Sequence, residues 1–217
     1  MNKPLSLRIN EIFFSLQGES STVGLPTTFV RLTGCPLRCG YCDTEYAFHD
    51  GKMMPMEDIL AQVSDTGARY ITVTGGEPLA QPGCLTLLRE LCDRGLKVSL
   101  ETSGAMDIAE VDPRVMVVMD LKTPGSSECD RNLESNIGHL KATDEVKFVI
   151  CDRRDYEWSK AKIDQYDLVN RVREILLSPA FEQVAYRDLA AWVLADRLPV
   201  RMQVQLHKII WGDAPGH

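Results

Sequence analysis

Cys35-Pro36-Leu37-Arg38-Cys39-Gly40-Tyr41-Cys42 gathers three thiols on one short loop with C-x3-C-x2-C spacing. Three cysteine thiolates can bind three irons of a 4Fe-4S cubane and leave the fourth iron without a protein ligand, open to a small molecule that is to receive an electron. A structural zinc site wants four protein ligands. No fourth cysteine lies nearby, and His49 is the candidate that would complete such a site. Disulfides fit less well, because three clustered cysteines cannot all pair.

Outward from this loop, strand-like and helix-like segments alternate. Leu7 to Phe14 and Thr27 to Thr33 read as strands, separated by the polar stretch Gln17-Gly18-Glu19-Ser20-Ser21. Pro55 opens a helical stretch with Ile59, Leu60 and Val63 in register, as proline suits a first helical turn. Tyr70 to Thr74 is a short strand ending in Gly75-Gly76-Glu77-Pro78. Cys84 to Cys92 is helical, with Leu85, Leu88 and Leu91 on one face and Gly95 as its stop. Val98 to Thr102, Val115 to Leu121 and Val146 to Ile150 are near-continuous apolar runs that suit strands buried on both faces of a parallel sheet. Arg153 to Tyr166 and Arg187 to Arg197 read as helices, and Glu174 to Leu177 and Met202 to Leu206 as the last strands.

This order predicts α/β architecture with right-handed crossovers. Six or seven strands fall short of the eight that close a TIM barrel, so a partial, open TIM-like barrel of about six parallel strands is expected, in a single domain over residues 1–217. The informative residues stand where strands end: Cys35, Gly75, Ser103 and Lys122. Sites in parallel sheets form at those carboxyl ends.

Composition narrows the function classes. Hydrophobic residues at 44% and charged residues at 25% are ordinary for a globular protein, and a net charge of -7 disfavours binding to a nucleic-acid backbone. The seven cysteines are an odd number, and Cys84, Cys92, Cys129 and Cys151 show no framework spacing, which points to a reducing compartment. Met1 to Leu5 lacks the apolar run of a signal peptide, and no stretch approaches the roughly 20 apolar residues of a membrane span. A cytoplasmic location without membrane association is expected.

The cysteine spacing, with the aromatic Tyr41 before the third cysteine, resembles the signature of the radical SAM enzymes. The resemblance implies that the open iron binds the amino and carboxylate groups of S-adenosylmethionine, whose sulfonium is cleaved to a 5'-deoxyadenosyl radical. Thr74-Gly75-Gly76-Glu77-Pro78 is similar to the family's Gly-Gly-Glu motif, which holds the amino group of that methionine. The same resemblance implies cofactor contacts for Tyr41, Cys42 and Asp43, for Gly76 and Glu77, and for Glu101 and Ser103. It extends them to Asp120, Leu121 and Lys122, and to Ser178 and Pro179 on the adenine side.

Four features narrow the likeness: Phe13-Phe14-Ser15-Leu16-Gln17-Gly18-Glu19-Ser20 leading to Phe29-Val30-Arg31-Leu32-Thr33-Gly34-Cys35, Cys42-Asp43-Thr44, the small size, and Gln205-Leu206-His207-Lys208-Ile209-Ile210-Trp211-Gly212. Together they resemble the 7-carboxy-7-deazaguanine synthases over essentially the whole chain. That likeness implies loss of hydrogen from C6 of 6-carboxy-5,6,7,8-tetrahydropterin, ring contraction, release of ammonia and regeneration of S-adenosylmethionine. It implies Mg2+ on Thr44, the pterin edge read by Leu16, Gln17, Gly18 and Glu19, the carboxylate anchored by Arg31, and substrate contacts from Thr74 and His207. From the residues alone, Arg31 pairing with a sheet-edge carboxylate and Thr44 capping a turn are the plainer readings. A flavodoxin-like electron donor and a homodimer are implied as partners. Two competing readings are a glycyl-radical activase, which would act on a large protein partner, and a zinc-bound interaction module.

Overall fold

The computed structural model describes residues 5–212 with 214 and 216; the first four residues, read above for a leader, lie outside them. Its elements in chain order are β1 Ser6–Leu16, β2 Pro26–Leu32, β3 Lys52–Pro55, α1 Met56–Asp65, β4 Tyr70–Gly75, α2 Gly83–Asp93, β5 Lys97–Thr102 and β6 Met116–Asp120. There follow β7 Glu145–Ile150, α3 Arg153–Gln165, α4 Leu168–Arg171, β8 Glu174–Pro179, α5 Tyr186–Asp196, β9 Arg201–Met202 and α6 Leu206–Trp211. The strands form one sheet in the order β3-β1-β2-β4-β5-β6-β7-β8-β9. From β2 to β9 every neighbouring pair is parallel, while β1 runs antiparallel to β2 and β3. Six full parallel strands and the two-residue β9 leave the sheet open, as the strand count predicts.

The strands are not apolar on both faces. In parallel register, Thr72 sits beside Ser99, Glu101 beside Val118, Asp120 beside Lys147, and Val149 beside Ser178. The intervening residues Val73, Leu100, Met119 and Phe148 are buried with Ile59, Leu88, Leu91 and Tyr156 of the covering helices. Side chains alternate across a strand, so one face became the core and the other a polar inner face.

Four departures from the predicted elements have identifiable causes. Leu87, not Leu85, joins Cys84, Leu88 and Leu91 as the buried face of α2, following the i, i+3, i+4, i+7 stripe. The short edge strand β3 escapes sequence reading, having four residues of which Lys52 and Met53 are exposed. The β5–β6 connection has no helix, and the β6–β7 connection has only 3-10 turns; Asn136 pins both by donating to the carbonyls of Gly104 and Met106 and accepting from the Ile108 amide. Finally, the predicted strand at Met202 to Leu206 ends at Met202, because the Gln203 side chain bonds both the amide and the carbonyl of Ser20.

That last contact belongs to a strap. Residues 17–21 leave β1 and cross the inner face of the sheet instead of turning back at once. Gln17 donates to Thr72 of β4 and Glu101 of β5, Glu19 pairs with Lys147 of β7, and the Ser21 amide donates to Glu145. Among the described residues no helix is long and apolar enough to cross a membrane.

Candidate active site

The carboxyl ends of the parallel strands enclose a cavity of about 250 Å³. The cysteine loop forms one wall. Leu37, 1% exposed, plugs the loop into the core, and the Gly40 amide donates to the Ser126 carbonyl. The Arg38 guanidinium donates to the carbonyls of Cys35 and Leu37 and lies 4.3 Å from the centroid of the Phe48 ring. Gly76 supports the loop from below: a Cβ there would stand 2.5 Å from the Gly34 oxygen and 2.6 Å from Cys35 Cβ, so only glycine permits the approach. Cys35, Cys39 and Cys42 are free thiols, half-buried, and all line the cavity.

A single tetrahedral ion would need these thiols to converge. Among the described residues no group of three His, Cys, Asp or Glu is placed to hold one ion, and His49 does not line the cavity. A cubane takes one thiolate per iron and so does not ask three thiols to meet at one ion. Burial pushes all three thiols up, Cys39 to about 11, and the Lys122 ammonium opposes the shift in each. Loss of their protons therefore accompanies metal binding. Lys122 is buried beside them, paired with Asp120 at 2.7 Å and 5.5 Å from the Tyr41 ring centroid.

Of the residues assigned to the cofactor, Tyr41, Asp43, Gly76, Glu101, Ser103, Asp120, Lys122, Ser178 and Pro179 line the cavity; Glu77 and Leu121 do not. Leu121 is a core residue, 2% exposed. The Glu77 carboxylate is fully buried and saturated, accepting from the Leu79 amide, the Thr102 hydroxyl, and both the amide and hydroxyl of Ser103. It ties the end of β4 to the end of β5 and has no lone pair left for a ligand's ammonium. By contrast, the Tyr41 hydroxyl, one Asp120 oxygen and the Ser178 hydroxyl are buried without a hydrogen-bond partner among the described residues. Unsatisfied buried polar atoms are costly, and a polar ligand in the cavity fits this donor and acceptor set.

The opposite wall holds Leu16, Gln17, Gly18, Glu19, Arg31, Thr44, Thr74 and His207, all lining the same cavity. Arg31 does pair with a sheet-edge carboxylate, its Nε 2.7 Å from Glu11 Oε1, and it also faces the Phe13 ring at 5.8 Å. Thr44 Oγ1 donates to Asp43 Oδ1 at 2.8 Å. Glu101 is bonded to this wall, accepting from Gln17 Nε2 at 3.2 Å and from Thr74 Oγ1 at 3.1 Å. His207 is not at a strand end. It lies in the first turn of α6, packed so closely on Gly18 that a Cβ there would stand 2.1 Å from Nδ1. Burial lowers its imidazole below the ordinary value. Gly18→Ala is expected to push the ring away and undock α6, at about 1–3 kcal/mol for such overpacking. Faster amide hydrogen exchange across Leu206–Trp211 checks this, and unchanged protection would refute it.

Two residues of this wall were given no site role by the sequence reading, although Gln205 stands in the quoted Gln205-Leu206-His207-Lys208 stretch. Lys147 is the lone charge inside the apolar run of β7, a position that should have marked it as inward-facing. Burial opposes its charge, but Glu19, Asp120 and Glu101 push it up. In turn burial would raise Glu19, and the Lys147 ammonium outweighs this and holds it down, whereas Glu101, buried with the Glu19 charge beside it, is pushed up. Gln205, the second, donates to Glu19 Oε1 at 2.9 Å and to Asp43 Oδ2 at 3.1 Å.

Residues 29–124 match the family model of the radical SAM superfamily. The 7-carboxy-7-deazaguanine synthase of Chlorobaculum tepidum is 44% identical over 220 aligned residues covering 100% of both chains. That of Koribacter versatilis is 42% identical, covering 94% of this chain and 97% of its own. The crystal structure of QueE from Escherichia coli matches with a TM-score of 0.75 at 26% identity, over 93% of this chain and 95% of that one. Streptococcus suis SuiB bound to S-adenosylmethionine, at a TM-score of 0.58 and 17% identity over 79% of this chain and 44% of its own, shares the fold. Identity of this level along whole chains, on a common fold, places the chain in the 7-carboxy-7-deazaguanine synthase family of radical SAM enzymes.

Proposed function

We propose that this chain, acting as a single domain, converts 6-carboxy-5,6,7,8-tetrahydropterin to 7-carboxy-7-deazaguanine with loss of ammonia. Cys35, Cys39 and Cys42 would hold a 4Fe-4S cluster, the residues around Lys122 and Ser178 S-adenosylmethionine, and Thr44 a Mg2+ ion. When bound, the cluster and S-adenosylmethionine supply the radical that takes hydrogen from C6 of the substrate. The observation that carries this reading is the meeting of two unlike walls in one cavity: thiols with a buried lysine on one side, and Arg31, Gln17, Glu19, Glu101 and Thr74 on the other.

The chain's own residues divide the work. Arg31 presents a planar guanidinium to the substrate carboxylate, oriented by Glu11. The Thr44 hydroxyl spends its proton on Asp43, so its lone pairs are free for a hard cation that keeps water and substrate as its other ligands. The Gln17 amide is committed to Thr72 and Glu101, and it holds Glu101 where the amino groups of a pterin can donate. Phe13 and Phe29, stacked at 4.8 Å, give the chamber an apolar side that sheds water. An electron donor of the flavodoxin class and a homodimer covering an open sheet edge complete the proposal.

Anaerobic turnover of the reconstituted protein with S-adenosylmethionine, reductant, Mg2+ and the tetrahydropterin, read by mass spectrometry, tests it. 7-Carboxy-7-deazaguanine without net loss of S-adenosylmethionine is the expected result. Stoichiometric 5'-deoxyadenosine with no deazapurine would overturn the substrate and favour an activase. Thr44→Ala should leave S-adenosylmethionine cleavage in place while flattening the response to Mg2+; an unchanged Mg2+ titration would remove Thr44 as the ligand.

A further inference from the structure

We infer that Gln205 is a positioning residue that sets the Thr44 hydroxyl through Asp43 while bracing Glu19, so that the start of α6 couples the cysteine loop to the substrate floor. The inference rests on the proposed Mg2+ site at Thr44. One primary amide carries two N–H donors and can serve two acceptors. Gln205 Nε2 uses both on carboxylates, Glu19 Oε1 at 2.9 Å and Asp43 Oδ2 at 3.1 Å. Asp43 Oδ1 then accepts the Thr44 hydroxyl at 2.8 Å, and Glu19 pairs with Lys147 on its far side. The series Thr44, Asp43, Gln205, Glu19, Lys147, all lining the cavity, thus runs unbroken from the two residues after Cys42 through the strap to β7.

The direction of the protons gives the series its use. The Thr44 proton points at Asp43, which turns the oxygen lone pairs away from that carboxylate. A carboxylate free to swing would leave the hydroxyl rotor unset. Outer partners of this kind orient the direct ligand, and their loss typically weakens metal binding about 10- to 100-fold. Gln205 is itself well anchored: the neighbouring Leu206 amide donates to the Gly18 carbonyl at 3.0 Å, and Gln203 clasps Ser20. Neither glutamate nor alanine can substitute. Glutamate would put a third carboxylate against two others, and alanine would leave both without their shared donor.

The test measures Mn2+ binding to the reconstituted protein with substrate present, by loss of the free-ion EPR signal, for wild type, Thr44→Ala, Gln205→Ala, Gln205→Glu and the Thr44→Ala/Gln205→Ala double variant. The expected result is an Mn2+ dissociation constant raised about 10-fold or more in both Gln205 variants, with the double variant no weaker than Thr44→Ala alone. A Gln205 residue that only docked α6 would give effects that add in the double variant, and additivity overturns the inference. So does wild-type Mn2+ affinity in Gln205→Ala beside a weakened Thr44→Ala, a result that leaves the Mg2+ site standing. Wild-type affinity in Thr44→Ala overturns the Mg2+ site and the inference with it.

Discussion

Cys39→Ala is expected to yield a folded, colourless protein that makes no product. The loop does not need the thiol to keep its shape: Leu37 is buried in the core, the Glu77 amide donates to the Gly34 carbonyl at 2.8 Å, and the Arg38 amide donates to Glu128. What goes is one of three iron ligands, and with only two the cubane loses a corner. Iron and sulfide analysis after anaerobic reconstitution, with circular dichroism as the control for folding, reads both halves of the claim. A full complement of iron in Cys39→Ala, or in the same replacement of Cys35 or Cys42, would remove the basis for reading this loop as a cluster site.

The second large effect is expected from Lys147→Met. Lys147 and Glu19 keep only 17% and 13% of their side-chain surface, and half-buried Glu101 lies nearby. Removing the cation paired with Glu19 leaves that carboxylate facing Glu101 with Arg31 acting only on the latter. Breaking a buried pair from one side costs about 3–5 kcal/mol, and the residual exposure argues for the lower end. The sign of the pH dependence follows from the same groups. With Lys147 present, Glu19 sits below its ordinary value of 4.5, so its contribution is full above that value and fades as pH falls further. Without Lys147, burial and the Asp43 charge are opposed only by the Gln205 hydrogen bond and Glu19 rises, so the variant gains stability as pH falls from neutrality. The gap between wild type and variant must therefore narrow on acidification. Urea unfolding at pH 8 and pH 5.5 measures it, and a gap that is constant or widens in acid would show that the lysine does not hold Glu19 charged.

Much of this site was legible without coordinates, and the reason is spacing. Three cysteines within eight residues must share a loop wherever the chain goes, and Thr74 to Pro78, Glu101 to Gly104 and Asp120 to Lys122 each follow a run whose length and composition mark a strand. In a parallel sheet all such ends emerge at one rim, so the approximate site followed from local patterns alone. Local pattern also misled where it was ambiguous. Short apolar runs cannot say which face is buried, so strands with one polar inner face were read as apolar throughout. Met202 to Leu206 looked like a strand because the clasp of Gln203 on Ser20 joins residues far apart in the chain.

Which side chains do chemistry and which do structure was decided only in three dimensions. Glu77 stands in a motif that promised ligand contact, and its carboxylate is spent on Thr102, Ser103 and Leu79. Glu101 is met by Gln17, which the strap carries across the sheet to it, a contact no local pattern announces. Lys147 sits in no motif and Gln205 in one that says nothing of its contacts; their meaning lies in the carboxylates they meet 128 and 162 to 186 positions away. The sequence by itself determined the open α/β sheet, the rim and the thiol loop, because each depends on residues near one another in the chain. The pairing of charges across the cavity depends on contacts between distant residues in a medium of low polarity, and that only the tertiary structure could decide.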